Sequence, residues 1–284
     1  MRVAITGAAG RLGGHLCSRL AESKEWDLVR IDLLDLPEGP GEARKADLSD
    51  LQDTYGALLG ADVVIHCASI HPSEAYTDEQ YLDVNVKGTW NVYAAAKKLG
   101  IKRAVLTSSI GVVGHSFPPE VWPVTEETET TPYDLYSLTK HCQELVARHY
   151  AEYGGISTVV LRPASFMPKG ELETGRRLLG TFSLIEDVVE AHVAALRAEN
   201  LPSRFESFLI TNRLPYGPED ADVAGDPWGL AERYYPGVRQ WFSQRRVLPP
   251  DISVVYSLGK AERFLDWKPQ YSFDWWWEKN RNRL

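Results

Sequence analysis

RVAITGAAGRLGGHLCSRLA, residues 2–21, is the stretch whose reading decides the fold. Arg2–Thr6 is a short apolar run rich in β-branched residues, stopped by Gly7, and it reads as a strand. Arg11–Ala21 reads as a helix, because Leu12, Leu16 and Leu20 recur at the spacing of one helical face. Between the two lies Gly7-x-x-Gly10-x-x-Gly13. In a strand–turn–helix setting the three glycines allow, in turn, the tight turn, close approach of backbone to a diphosphate, and close packing of helix on strand. The helix start carrying Arg11 and Leu12 then offers unpaired N–H groups and the positive end of its dipole to phosphate oxygens. The pattern predicts a dinucleotide site at Gly7, Gly10, Arg11, Leu12 and Gly13.

Outward from this stretch, strand-like and helix-like segments alternate. Asp27–Asp32, Ala61–His66, Arg103–Ser108 and Ile156–Leu161 read as strands, and Glu79–Leu99 and Leu135–Tyr153 as helices. Such alternation predicts an α/β fold, a Rossmann-type doubly wound parallel sheet with helices on both faces. Val63-Val64-Ile65, apolar throughout, fits a sheet covered on both sides. After Pro163 the rhythm breaks. Ser183–Glu199 still reads as a helix and Phe205–Thr211 as a strand, but 212–250 is rich in Pro, Gly and aromatics. Beyond it come a helix at Gly259–Asp266 and the aromatic tail Trp275-Trp276-Trp277. This divides the chain into an NAD-binding domain at 1–165, rejoined by 183–211, and a small interleaved substrate lobe at 166–182 and 212–284. Nine tryptophans, most of them late, suggest a lobe packed by large rings.

Asp32 ends the second strand 19 residues beyond Gly13, where a carboxylate accepts hydrogen bonds from the adenosine ribose. It repels a 2′-phosphate, and Leu33 and Leu34 supply no arginine to hold one, so NAD is favoured over NADP. Asp35 is a substitute for Asp32 but reads better as loop surface.

Tyr-x-x-x-Lys places two side chains one turn apart on a helix, and it occurs three times: Tyr93/Lys97, Tyr136/Lys140 and Tyr256/Lys260. Position selects among them. Tyr93 would face the sheet, and Tyr256 lies outside the nucleotide-binding half. Tyr136 follows the Thr107-Ser108-Ser109 strand end, where ligands sit in an open α/β sheet. A phenol that ordinarily titrates near 10 serves as a base once its pKa approaches about 7, roughly 4 kcal/mol lower. An ammonium about 4 Å away supplies about that much. Lys140 is therefore expected to acidify Tyr136 and hold a ribose, while Ser109 hydrogen-bonds the substrate oxygen.

Composition removes several function classes. The net charge of −8, with no basic cluster denser than Arg245-Arg246, argues against a nucleic-acid partner. The amino terminus reads as a strand running straight into glycines, with no charged n-region and apolar h-region, and no apolar run is long enough for a bilayer. Cys17, Cys67 and Cys142, odd in number and scattered, fit small buried thiols of a cytoplasmic protein with no metal site. Glu126-Glu127-Thr128-Glu129 reads as a solvated loop.

With these motifs the chain resembles the extended short-chain dehydrogenase/reductases, the NAD-dependent epimerase/dehydratase family. The likeness runs through TGAAGRLG at 6–13, DL at 47–48, HCAS at 66–69, NVKGT at 85–89, TSSIGVVG at 107–114, YSLTK at 136–140, LRPAS at 161–165 and WKPQYS at 267–272. The resemblance implies that Asp47 and Leu48 contact adenine, that Cys67 and Ala68 line the cofactor channel, and that Asn85 orders the nicotinamide side. It also implies a homodimer through two paired helices. Sugar-nucleotide members usually carry Arg-x-x-Asn-x-Tyr-Gly-Pro after the sixth strand; here Arg162–Pro168 lacks the asparagine and the Tyr-Gly-Pro. The short lobe is more similar to compact uronate dehydrogenases, which implies substrate contacts at Ser69, His71, Ser165 and Arg176, the last gripping a carboxylate. Ile110 and His71 stand where those enzymes have asparagine and serine. The expected activity is hydride transfer between NAD and a hydroxyl or carbonyl of a sugar or sugar acid. The alternative is an epimerase or dehydratase that retains its NAD. Ser109, Tyr136 and Lys140 together argue against a cofactor-binding regulator without turnover.

Overall fold

The computed structural model describes residues 1–72, 75–167 and 169–282. Pro168, which closes the Arg162–Pro168 stretch, and the last two residues of the 212–284 segment lie outside them. Seven strands, β1 (Arg2–Thr6), β2 (Asp27–Asp32), β3 (Glu42–Lys45), β4 (Val63–His66), β5 (Arg103–Thr107), β6 (Ser157–Pro163) and β7 (Phe205–Ile210), form one sheet. Their order is β3-β2-β1-β4-β5-β6-β7, and every pairing is parallel. The chain reverses its direction of winding between β1 and β4, and the crevice outside those strand tips is where such sheets take ligands.

The pleat sorts each strand's side chains by twos. Val3 and Ile5 enter one core with Leu16 and Leu20 of α1 (Arg11–Ala21) and Val188 and Leu196 of α7 (Ile185–Arg197). Ala4, between them, enters the opposite core with Val92 and Ala96 of α4 (Gly88–Leu99) and Ala147 and Tyr150 of α5 (Leu135–Tyr153). A third cluster gathers Phe182, Trp228, Phe242, Phe273, Trp276 and Trp277. It is built on α6 (Glu171–Leu178), α8 (Pro227–Tyr234), α9 (Val238–Gln244) and α11 (Phe273–Asn280), with α10 (Gly259–Leu265) returning to the sheet.

Several elements depart from the sequence reading. β3 and α2 (Leu51–Leu58) fill the gap between Asp32 and Ala61. Glu-Ala-Arg-Lys of β3 has no apolar alternation because it is a short, exposed edge strand, and α2 starts where the Asp50 carboxylate caps Gln52 N and Asp53 N. The long helix begins earlier, at α3 (Asp78–Tyr81), on a Thr77–Gln80 capping box, and passes through a π-helical segment, Leu82–Lys87, before α4. Glu126 is no solvated side chain: Oε1 accepts Leu209 N at 2.9 Å, covering an amide on the edge strand β7. Trp275 faces outward, whereas Trp276 and Trp277 are buried. All three cysteines are free; Cys17 is buried, while Cys67 and Cys142 are half-buried. Among the described residues no group of His, Cys, Asp or Glu is placed to hold a metal ion, and no helix is long and apolar enough to cross a membrane.

Candidate active site

The glycine turn packs so closely that side chains would fill it. Gly7 has φ +72°, and a Cβ there would lie 2.7 Å from Ala68 N. A Cβ on Gly13 would overlap Gly7 O and lie 2.8 Å from Ala8 Cα, and one on Gly10 would sit 3.1 Å from Gly7 O. Gly10 is the N-cap of α1 and supplies no side-chain acceptor, so the first-turn amides at Arg11 and Leu12 face the crevice uncapped. The cradle therefore fits a diphosphate. Asp32 joins this turn: Oδ2 accepts Ala9 N at 2.9 Å and Oδ1 accepts Leu34 N at 3.0 Å. Lys45, the register partner of Asp32, is paired with Asp35 at 2.8 Å. Asp47 and Leu48 follow β3 after Ala46. Asp47 Oδ1 accepts Ser49 N at 2.8 Å, and Leu48 O accepts Asn91 Nδ2 at 2.8 Å.

Beyond β4 the polar contacts have a defined direction. Ala68 N donates to Thr6 Oγ1 at 3.3 Å, and Thr6 Oγ1 lies 2.7 Å from His66 Nδ1. His66 Nε2 lies 2.9 Å from Thr89 Oγ1, which donates to Asn85 O at 2.6 Å. A carbonyl only accepts, so the Thr89 proton is committed and His66 Nε2–H must donate to Thr89. Nδ1 is then the acceptor for Thr6. Burial keeps this ring neutral, lowering its pKa to about 3. Asn85, on the π-helical segment, accepts Ile70 N at 2.9 Å and donates to Thr139 Oγ1 at 3.0 Å, and Thr139 donates to Tyr136 O at 2.8 Å. Asn85 thus fixes the loop after β4 against the helix that carries Tyr136 and Lys140.

Ser109 lies just past the tip of β5, and Lys140 reaches that tip from α5, where Tyr136 stands one turn before it. Ser109 Oγ accepts Gly111 N at 3.1 Å, which leaves its own proton to donate elsewhere. A Cβ on Gly111 would lie 3.3 Å from Ser109 Oγ and 3.4 Å from Ser137 Cβ, so this glycine lets Ser109 sit against the start of α5. Lys140 is buried, and its Nζ donates to Thr107 O at 3.0 Å. Burial lowers its pKa to about 8, against the pull of Cys67 and Glu144, so it stays largely charged at neutral pH.

The expected acidification of Tyr136 is not found in this arrangement. Burial pushes its phenol well above the ordinary value, and Asp134, Tyr81 and Tyr133 push the same way. The ammonium of Lys140 is directed at the Thr107 carbonyl and stands 5.7 Å from the Tyr136 ring centre, too far aside to offset burial.

The other two pairs hold structural positions. Tyr93 is buried against Tyr150 and donates to Thr158 Oγ1 at 3.3 Å. Tyr256 donates to Gly114 O, and Lys260 pairs with Glu206 at 2.9 Å.

The residues expected at the substrate scatter more. His71 lies edge-on to Tyr136, ring centres 5.0 Å apart, its pKa lowered by burial and then by Lys140. Ser69, half-buried, donates to Ile70 O at 3.4 Å. Ser165 is exposed just past β6, its carbonyl accepting Ser183 N at 3.0 Å. Arg176 has its fork on Glu173, at 2.7 and 2.6 Å, and its remaining nitrogen on Pro249 O at 2.9 Å.

Beneath Cys67, which the resemblance places in the cofactor channel, lie buried partners that sequence reasoning passed over: His192, Glu144 and, as an ion-pairing residue, Arg162. Cys67 Sγ lies 3.2 Å from Thr107 Oγ1, which also meets His192 Nε2 at 2.8 Å, and burial raises the Cys67 thiol to about 12. Glu144 and Arg162 form a buried ion pair at 2.7 Å. Its signal was present: Lys140-x-x-x-Glu144 repeats the one-turn spacing of Tyr136-x-x-x-Lys140.

Residues 3–182 match the model of the NAD dependent epimerase/dehydratase family. The chain is 33% identical over 254 residues to the decarboxylating sterol-4-alpha-carboxylate 3-dehydrogenase of Saccharomyces cerevisiae, covering 75% of this chain and 71% of that protein. It is 31% identical over 193 residues to a uronate dehydrogenase of Pseudomonas putida, covering 66% and 69%. Among solved structures, the uronate dehydrogenase of Agrobacterium tumefaciens superposes with a TM-score of 0.72 at 24% identity, over 100% of this chain and 89% of that one. A short-chain dehydrogenase/reductase superfamily protein of the same organism, solved with bound NAD, superposes with a TM-score of 0.76 at 21% identity, over 98% and 95%.

Proposed function

The chain belongs to the NAD-dependent epimerase/dehydratase family, and from that premise we propose that it is a dehydrogenase acting on a hydroxyl of a sugar or sugar acid. It is an NAD-dependent enzyme of the short-chain dehydrogenase/reductase type. The observation that supports the finer reading is buried Lys140 reaching the tip of β5 next to Ser109, with Tyr136 one turn before it on α5 and a glycine cradle at the end of β1. Gly7, Gly10, Arg11, Leu12 and Gly13 hold the diphosphate, Asp32 the ribose, Asp47 and Leu48 the adenine. Cys67, Ala68, Asn85 and Lys140 line the nicotinamide side. NAD, when bound, supplies the hydride acceptor.

Ser109 donates to the substrate oxygen and Tyr136 removes its proton. The phenol starts from a pKa raised by burial, so the base works only as positive charge gathers around it, and Lys140 is the cation the chain contributes. His71, against the Tyr136 ring, and Ser69 and Ser165 face the substrate. The names of both relatives, uronate and sterol carboxylate, describe carboxylates, which favours an acidic substrate here. Arg176 can grip that carboxylate only by releasing Glu173. We assign the cofactor to 1–165 with 183–211, and the substrate lobe to 166–182 and 212–284. Exposed Leu82 and Trp90 on one helix and Leu138, Leu145 and Tyr153 on α5 form an apolar stripe that suits pairing with a second copy in a homodimer. Free thiols and the acidic charge fit a cytoplasmic enzyme.

The test is a panel of uronates, aldoses, nucleotide sugars and a sterol carboxylate, with NADH followed by its near-ultraviolet absorbance. A uronate or aldose should reduce NAD+, and Tyr136→Phe should lower kcat about 10³-fold with NAD+ affinity unchanged. Substrate conversion without net NADH would instead establish the epimerase or dehydratase reading.

A further inference from the structure

Resting on the assignment of Ser109, Tyr136 and Lys140 as the reacting site, we propose that Glu144 and Arg162 are a positioning pair that sets Lys140 at the tip of β5 and sustains its charge. Glu144 follows Lys140 by four residues and so lies one turn further along the same face of α5. Its carboxylate accepts Arg162 Nε at 2.9 Å, Arg162 Nη2 at 2.7 Å and Ser108 Oγ at 2.5 Å. The two side chains are only 4% and 5% exposed. Two successive residues of the β5 end are thereby held by two residues of α5 a turn apart: Thr107 O by Lys140, and Ser108 Oγ by Glu144. Arg162, on β6, closes the lock from a third element. Neither rung can slide along the strand without breaking the other.

Charge adds a second effect. Facing Lys140 are His66 from β4, Cys67 just past it, His71 from the loop beyond, Tyr136 and Glu144 from its own helix, and His192 through Thr107. Burial keeps His66 and His192 neutral and Cys67 a thiol. Glu144 is the one carboxylate in that set, and it acts to keep Lys140 protonated while Arg162 balances it. For stability alone an apolar pair of similar volume would serve as well.

The experiment measures NAD+ affinity by titration calorimetry from about pH 6 to about pH 9.5, spanning the lysine's range. Glu144→Gln, Arg162→Met and the double variant are compared with the parent, and Lys140→Met marks the limb that belongs to the lysine. Loss of the carboxylate should move the alkaline fall in affinity about one pH unit lower, loss of the guanidinium should move it higher, and the double variant should return it near the parent. The same shifts should appear in kcat/KM with whichever uronate turns over. Affinities lowered without any displacement in pH, or displaced in the same direction by both single variants, would reduce the pair to a packing element. Should Glu144→Gln not fold, Arg162→Met still decides, because simple loss of packing carries no upward shift. If Lys140→Met binds NAD+ like the parent at every pH, the site assignment itself fails, separately from this pair.

Discussion

At the strand tips, Ala68, Thr6, His66, Thr89 and Asn85 bond one another in sequence, and Ser108 and Arg162 both donate to Glu144, although Arg162 Nη1 is buried with no hydrogen-bond partner among the described residues. The lobe around Trp276 is assembled differently. There Phe242 stacks on Trp276 with ring centres 5.5 Å apart, Trp241 meets Trp277 edge-on, and Tyr216 OH, Trp241 Nε1 and Trp276 Nε1 are buried with no hydrogen-bond partner among the described residues. Hydrogen bonds prescribe position and direction, whereas ring packing prescribes volume and tolerates small shifts. On the proposed function, a site that aligns a hydroxyl, a phenol and an ammonium belongs on the first kind of support. If the lobe takes the substrate, as proposed, its ring packing suits one shape among many.

The most severe test of this contrast removes the largest ring. Trp276→Ala should cost about 3–5 kcal/mol in a urea titration, with NAD+ affinity of the folded fraction unchanged. Coincident loss of NAD+ binding would mean that the two regions are not distinct. The reciprocal test acts on the cradle. A side chain at residue 13 would overlap Gly7 O, so Gly13→Val should weaken NAD+ at least about 100-fold, about 2.7 kcal/mol, without altering the near-ultraviolet dichroism of the lobe tryptophans.

The smallest effect sits at the seam between the regions, where Asp187 of α7 accepts Gln270 N at 2.8 Å and Tyr271 N at 3.1 Å. Burial raises its pKa from 3.8 to about 6, so its contribution to stability falls as pH rises through that interval. His66 and His192, lowered from 6.5 to about 3 and 4, act in the opposite sense. Their contribution is complete above 6.5 and is lost as pH falls, by up to about 1.4 kcal/mol per pH unit for each. Asp187→Asn removes the counterweight. Its urea midpoint should drop more steeply than the parent's between neutral pH and about pH 4, and equal slopes would refute the assignment.

What could be read from the residues follows the same divide. β1, α1, β2 and α5 have the bounds that period and motif predict, because each buries an apolar face flanked by a distinct stop such as Gly7 or Asp134. β3 was illegible because a four-residue edge strand needs no apolar side chain, and the π-helical segment because 3.6-residue periodicity does not reveal one widened turn. In the lobe, α6, α8, α9 and α11 are seven or eight residues each, too short for a repeating face to stand out from scattered rings. Tyr136 and Lys140 could be selected by position alone. The raised pKa of the phenol could not, since it depends on how much water the fold removes. Glu144 and Arg162 are close only because β6 lies beside β5.

The bonds from Ala68 to the backbone of Tyr136 all point one way, each hydroxyl or amide giving its hydrogen to the next. Neutral His66 is the link that receives at one nitrogen and gives at the other. An imidazolium there would turn hydrogen against hydrogen at Thr6. Acid therefore unsettles the glycine turn and the backbone of Tyr136 together, through a ring buried away from solvent.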